Sequence, residues 1–142
     1  MKKKKWALFE HTADLGLYIY GRDRRELYEA AAGALMAQIT APEKIRPARE
    51  RIVELSADSP EALLRDWMAE ILYLCNALGW LTAEAGIESL TGNTLKAVLR
   101  GEALDSQRHE IGAEIKAVTW HRLKIEKLEP EGILRATVVL DV

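Results

Sequence analysis

The sequence predicts an α+β fold, two helices packed on a largely antiparallel β-sheet. Three observations carry that prediction. Two segments place apolar residues at helical spacing behind side chains suited to capping helix N-termini. The other apolar segments are strand-length and separated by short turn sequences. No strand is followed by a glycine-rich turn and helix, which disfavours a Rossmann-like nucleotide fold. At 142 residues the chain has the length of one ordinary domain, expected to span 1–142.

Trp6 to Glu10 reads as a first strand and Leu15 to Tyr20 as a second, with His11-Thr12-Ala13-Asp14 between them. Leu15, Leu17 and Ile19 recur with period two, while Tyr18 and Tyr20 make the opposite face aromatic. A helix begins at Asp23, whose side chain caps free N–H groups, and Glu26 completes a capping box. Leu27, Ala31, Ala34, Leu35 and Ile39 give it one apolar stripe. Thr40 to Pro47, with two prolines, is a loop, and Arg49 to Ala57 alternates as a half-exposed strand. Ser59 caps a second helix, with Pro60 in its first turn and Gly79 at its end. Its residues Leu63, Leu64, Trp67, Met68, Ile71, Leu72, Leu74, Cys75 and Leu78 cover most of the circumference, so it is expected to be the central core helix. Trp80 to Leu90 and Leu95 to Ala103 form a hairpin around Thr91-Gly92-Asn93-Thr94. Asp105 to Gly112 is polar and irregular. Ile115 to Leu128 and Ile133 to Val142 form a last hairpin, turned at Glu129-Pro130-Glu131-Gly132.

Composition narrows the function. With 49% hydrophobic and 30% charged residues the chain reads as a soluble globular protein. A domain this long buries roughly 70% of its unfolded surface and needs no disulfide or structural metal to fold. A formal net charge of −2 argues against a general nucleic-acid binder. The run Lys2 to Lys5 reads either as a solvated tail or as a contact for phosphate or an acidic partner. The single cysteine, Cys75, excludes an internal disulfide and CxxC chemistry, and its apolar setting suggests a buried structural thiol. Neither a signal-peptide core nor the ~20 apolar residues of a membrane span is found, so a cytoplasmic location without membrane partners is expected.

Three places interrupt the plain fold pattern. In Phe9-Glu10-His11-Thr12-Ala13-Asp14-Leu15-Gly16, polar groups crowd a strand junction. A carboxylate and an imidazole there could bind a metal or orient a partner; alternatively, Asp14 and Thr12 satisfy turn backbone groups. In Ile115-Lys116-Ala117-Val118-Thr119-Trp120-His121, strand alternation would put Lys116, Val118 and Trp120 on one face. Lys116 is then an edge-strand guard or a functional cation, and His121 a half-buried satisfied histidine or a ligand. In Val138-Val139-Leu140-Asp141-Val142, an apolar strand ends in Asp and a terminal carboxylate. If Asp14 lies across the sheet from them, three oxygen donors converge and suit Ca²⁺ or Mg²⁺ better than zinc or copper; otherwise Asp141 is a solvated end residue. Glu102, Asp105 and His109 share one irregular segment, and Asp58 and Asp66 flank the second helix, but neither group matches a metal motif closely. The absence of a GxSxG elbow and of a GxxxxGK[ST] loop disfavours serine hydrolysis and independent NTP hydrolysis.

At these same places the chain resembles the archease family. Phe9 to Gly16 is similar to its FEHTADxG signature. Gly101-Glu102-Ala103-Leu104-Asp105, then His109, and Ile115 to His121 resemble its GExxD…H…IKAVTYH block, with Trp120 in place of the tyrosine. Leu140-Asp141-Val142 resembles the family's terminal Asp and aliphatic residue, and Asp66-Trp67 and Leu72-Tyr73-Leu74 also fit. The match spans almost the whole chain, as one archease-like domain. It implies a compact α+β protein that is not itself an enzyme but activates the GTP-dependent, RtcB-type RNA ligase of tRNA splicing. In that role it promotes ligase guanylylation and multiple turnover, and touches tRNA only indirectly. It also implies a divalent cation, of the Ca²⁺ or Mg²⁺ class, held by Asp14 and Asp141 with an oxygen from Val142, and a functional surface including His11, Lys116 and His121. The competing expectation is a metal-dependent phosphohydrolase or nucleotide-processing enzyme using the same carboxylates, with His11 as its base. A general RNA-binding module is a third, and the acidic balance weighs against it.

Overall fold

The computed structural model describes residues 5–11 and 14–142, and for Glu10 and His11 the backbone alone. The strands are β1 (Trp6–His11), β2 (Asp14–Gly21), β3 (Arg49–Ser56), β4 (Trp80–Thr91), β5 (Thr94–Ala103), β6 (Ala117–Val118), β7 (Lys124–Leu128) and β8 (Ile133–Asp141); the helices are α1 (Arg24–Ile39) and α2 (Pro60–Leu78). Every strand pairing is antiparallel. The α+β class is as expected, but the strands divide into two sheets. One runs β1-β2-β8-β6, with β7 also on β8; the other runs β3-β5-β4. Alternating hydrophobicity identifies strands without naming their partners, so this division was not visible in the sequence.

Both helices start where the caps predict. The Glu26 N–H donates to Asp23 Oδ1 at 2.8 Å, and the Ala62 N–H to Ser59 Oγ at 3.0 Å. The expected capping box closes differently, because the Glu26 carboxylate accepts from the Arg22 N–H (3.2 Å) and Nε (3.0 Å). Gly79 ends α2 at φ 65°, a left-handed conformation that favours glycine.

α1 packs against β2 and β8 of one sheet and β4 of the other, and α2 against β3 and β4 and against β6 and β7. The helices thus join both sheets into one core. For that reason α1 buries more than its predicted stripe, adding Tyr28, Ala32 and Met36. α2 is less enclosed than expected: Leu78 is 54% exposed and Cys75 half-buried. Trp67, fully buried, donates its indole N–H to the Tyr28 carbonyl (2.7 Å), and the Tyr28 hydroxyl donates to the Pro60 carbonyl (2.8 Å), locking the helices together.

The predicted strand Ile115 to Leu128 is broken. Val118 pairs with Leu140 and Lys124 with Thr137, so the outer strand spends more residues than β8 between the same rungs. The surplus loops out over Thr119–Leu123. The Thr119 N–H and hydroxyl both donate to the Val139 carbonyl (3.0 and 2.8 Å), and Arg122 turns the chain at φ 57°. Lys116, Val118 and Trp120 therefore do not share a strand face. Lys116 lies exposed ahead of β6, Val118 is buried, and Trp120 stands 58% exposed in the loop.

Candidate functional site

The site begins with strand register. Asp14 is the direct partner of Asp141 across β2–β8, His11 is the partner of Asp14 across β1–β2, and Ala117 is the partner of Asp141 across β6–β8. Directly opposed residues of an antiparallel pair project from the same face. Leu15, Leu17 and Ile19 face the helices, the last two fully buried, and Val138 and Leu140 match them from β8. By alternation Asp14 and Asp141 project from the opposite, outer face at one end of the sheet. Both are half-buried.

Their surroundings hold them in place. The Lys116 N–H donates to the Asp141 carbonyl at 2.7 Å, which brings Lys116 directly beside the acidic pair. On the same face the Phe9 ring covers Gly16, where a Cβ would sit 2.3 Å from the ring, so only glycine leaves the ring its place. Phe9 and Tyr18 stack at 4.6 Å between two guanidinium groups, Arg122 over Phe9 at 5.5 Å and Arg135 over Tyr18 at 4.6 Å. Arg135 is also paired with Glu126, and its guanidinium lowers that carboxyl's pKa. Through Arg122, the loop bearing Trp120 and His121 is folded towards β1. Trp120 itself lies against Arg65 (5.1 Å), which donates to the Val118 carbonyl at 3.1 Å. His121 is exposed, its N–H bonded to Thr119 Oγ1 at 3.2 Å.

Of the expected site residues, Asp14, Asp141 and Lys116 are thus brought together, with His121 on the neighbouring loop. The His11 backbone closes the same row, while its side chain, like Thr12 and Lys2 to Lys4, lies outside the described residues. Lys5 pairs with Glu26 at 3.4 Å, away from the acidic pair. Among the described residues no three His, Cys, Asp or Glu side chains gather as a metal-binding group. The donor chemistry nevertheless fits a hard cation: two carboxylates share one face, about 5 Å apart at their backbones, and carboxylate oxygens are the ligands such ions take. Val142, which follows Asp141 directly, is exposed.

Sequence reasoning undervalued a second cluster, signalled by the Glu102–Asp105–His109 spacing. His109, whose side chain is wholly buried, accepts the Asp105 N–H on Nδ1 (2.9 Å), so its proton sits on Nε2 and is donated to Glu102 Oε2 (2.9 Å). Glu102 also receives Arg108 on its other oxygen and the Arg46 N–H at 2.8 Å. Arg108 first, then Arg46 and His109, hold the Glu102 carboxyl at about 2 against the opposing effect of burial. Cys75, remote from both clusters in sequence, has its thiol pKa raised by burial.

The chain matches the Archease protein family over residues 6–142. Relatives named Protein archease include one from Pyrococcus abyssi, 39% identical over 142 residues and covering 98% of this chain and 99% of that protein. Another, from Methanosarcina mazei, is 36% identical, covering 98% and 97%. The solution structure of Methanobacterium thermoautotrophicum protein 1598 superposes with a TM-score of 0.80 at 30% identity, covering 99% of this chain and 100% of that one. The crystal structure of an archease, described as a possible chaperone, from Thermotoga maritima gives a TM-score of 0.68 at 28% identity, covering 100% and 98%.

Proposed function

The chain belongs to the archease family, and on that premise we propose that it is a non-catalytic activator of the GTP-dependent, RtcB-type RNA ligase of tRNA splicing. In this reading it promotes guanylylation of the ligase and repeated turnover through a divalent cation at Asp14 and Asp141. The observation that carries the reading is the direct pairing of those two aspartates, which sets two carboxylates side by side on an outer face.

Two carboxylates and a main-chain oxygen from Val142 supply only part of the six to eight oxygens that Ca²⁺ takes, or the octahedral set of Mg²⁺. Held by Asp14 and Asp141, the ion would supply positive charge able to offset the charge of a triphosphate in the ligase pocket. Lys116, beside Asp141, adds a second positive group to the same surface, with His121 and His11 as further contacts. tRNA is reached only through the ligase.

The test is a guanylylation time course of the cognate ligase with and without this protein. Stimulation by the wild type that is lost in Asp14→Ala and Asp141→Ala, both still folded, supports the reading. Equal stimulation by both variants overturns the cation mechanism, and no stimulation by the wild type overturns the activator role.

A further inference from the structure

Between β5 and β6 the chain crosses from one sheet to the other along residues 104–116, with no regular secondary structure of its own. Such a segment holds its course only through tertiary bonds, because its backbone groups lack a helix or ladder to satisfy them. The bonds are these. The Leu104 N–H donates to the Gly79 carbonyl (2.7 Å), Thr40 Oγ1 to the Glu110 carbonyl (2.7 Å), the Gly112 N–H to the Ile39 carbonyl (2.8 Å) and Asn76 Nδ2 to the Ile115 carbonyl (3.0 Å). The last, from the Lys116 N–H, ends on the Asp141 carbonyl (2.7 Å).

At the head of this segment sits the Glu102 cluster. His109 is buried, and both its ring nitrogens are used. Glu102, 12% exposed, accepts from three donors in different parts of the chain: Arg46 ahead of β3, and Arg108 and His109 within the crossing. The Asp105 carbonyl meanwhile receives the N–H groups of Arg108 (2.9 Å) and His109 (2.7 Å), closing the crossing's first turn.

We infer that Glu102, Arg108 and His109 are positioning residues: their hydrogen-bonded cluster clamps the head of the crossing so that its tail delivers Lys116 onto Asp141. None of the three touches the acidic pair. They act through the course of the chain, and the functional consequence rests on reading Asp14 and Asp141 as the working pair. The cluster's chemistry makes this specific. All three of Glu102's partners are donors, so only a carboxylate accepts from each. A glutamine must turn its NH₂ group towards one of them, opposing donor to donor.

Glu102→Gln and the milder change at part-exposed Arg108, Arg108→Gln, test the inference, with native-state amide hydrogen exchange as the first readout. The expected result is exchange at Asp105 and Lys116 faster by roughly tenfold, with amides of Leu17 and Val138 unchanged. Calcium titration of the protein alone and ligase guanylylation are expected to weaken in parallel. Unchanged Lys116 exchange in both variants, with Asp105 exchange raised, overturns the inference, since the tail then holds without the clamp. If Glu102→Gln also releases the Leu17 and Val138 amides, Arg108→Gln decides by the same criterion. Absence of ligase stimulation by the wild type would overturn the proposed function while leaving the exchange result valid for the clamp.

Discussion

Asp141→Asn is expected to act in opposite directions with and without a divalent cation. In the metal-free protein, the register places Asp14 and Asp141 opposite each other, with backbones about 5 Å apart. On a half-buried outer face with water-like screening, two unit charges at that distance repel by about 1 kcal/mol. Neutralising one removes that cost, so the variant melts about 3 °C above the wild type when chelator is present. With the cation present, the wild type gains the binding free energy, about 2.7 kcal/mol at a concentration of 100 Kd, or roughly 8–10 °C at this chain length. The variant keeps one carboxylate and gains little. Differential scanning calorimetry of both proteins, in EDTA and in a series of calcium or magnesium concentrations, reads the crossover directly. A wild-type midpoint that neither ion moves, or an Asp141→Asn midpoint that rises in parallel with it, would refute the reasoning.

Gly16→Ala forces the Phe9 ring off its seat, since the new Cβ would lie 2.3 Å from ring carbons already stacked on Tyr18; a loss of roughly 1–3 kcal/mol in urea unfolding is expected. Trp67→Phe leaves the Tyr28 carbonyl without its indole donor and opens space in a fully buried site, for an expected loss of roughly 2–3 kcal/mol by the same measurement. In acid, the carboxyl of Glu102, held at about 2 when folded, contributes stability that is complete above its ordinary value of 4.5. That contribution is lost as pH falls towards 2. Arg108→Gln raises the folded value towards the ordinary one, so its unfolding midpoint should vary less across that window, as followed by tryptophan fluorescence.

What the sequence revealed was local, and what it hid was long-range. Asp23 and Ser59 as caps and Gly79 as a stop depend on neighbours a few residues away, and each is found where expected. The assignment of strands to two sheets depends on which distant segment each one meets, and period-two alternation is the same for either partner. The break at Thr119–Leu123 was invisible for a related reason: a surplus of residues exists only relative to β8. The candidate site divides in the same way. Asp14, Lys116 and Asp141 stood out as polar residues amid apolar runs, but their adjacency follows from β2 and β8 choosing one another. The Glu102–His109 spacing matches no motif closely, because the burial of this group and the identity of the donors on each oxygen follow from tertiary structure.

The β2–β8 pairing also sets when the acidic notch can exist. Its two halves, Asp14 and Asp141, are far apart in sequence, so their meeting closes a long loop whose entropy the accompanying strand pairing must offset. The second aspartate can meet the first only after β2 and β8 have found one another. An ion captured between them would therefore report that β2 and β8 have paired, which a chain lacking that pairing could not imitate.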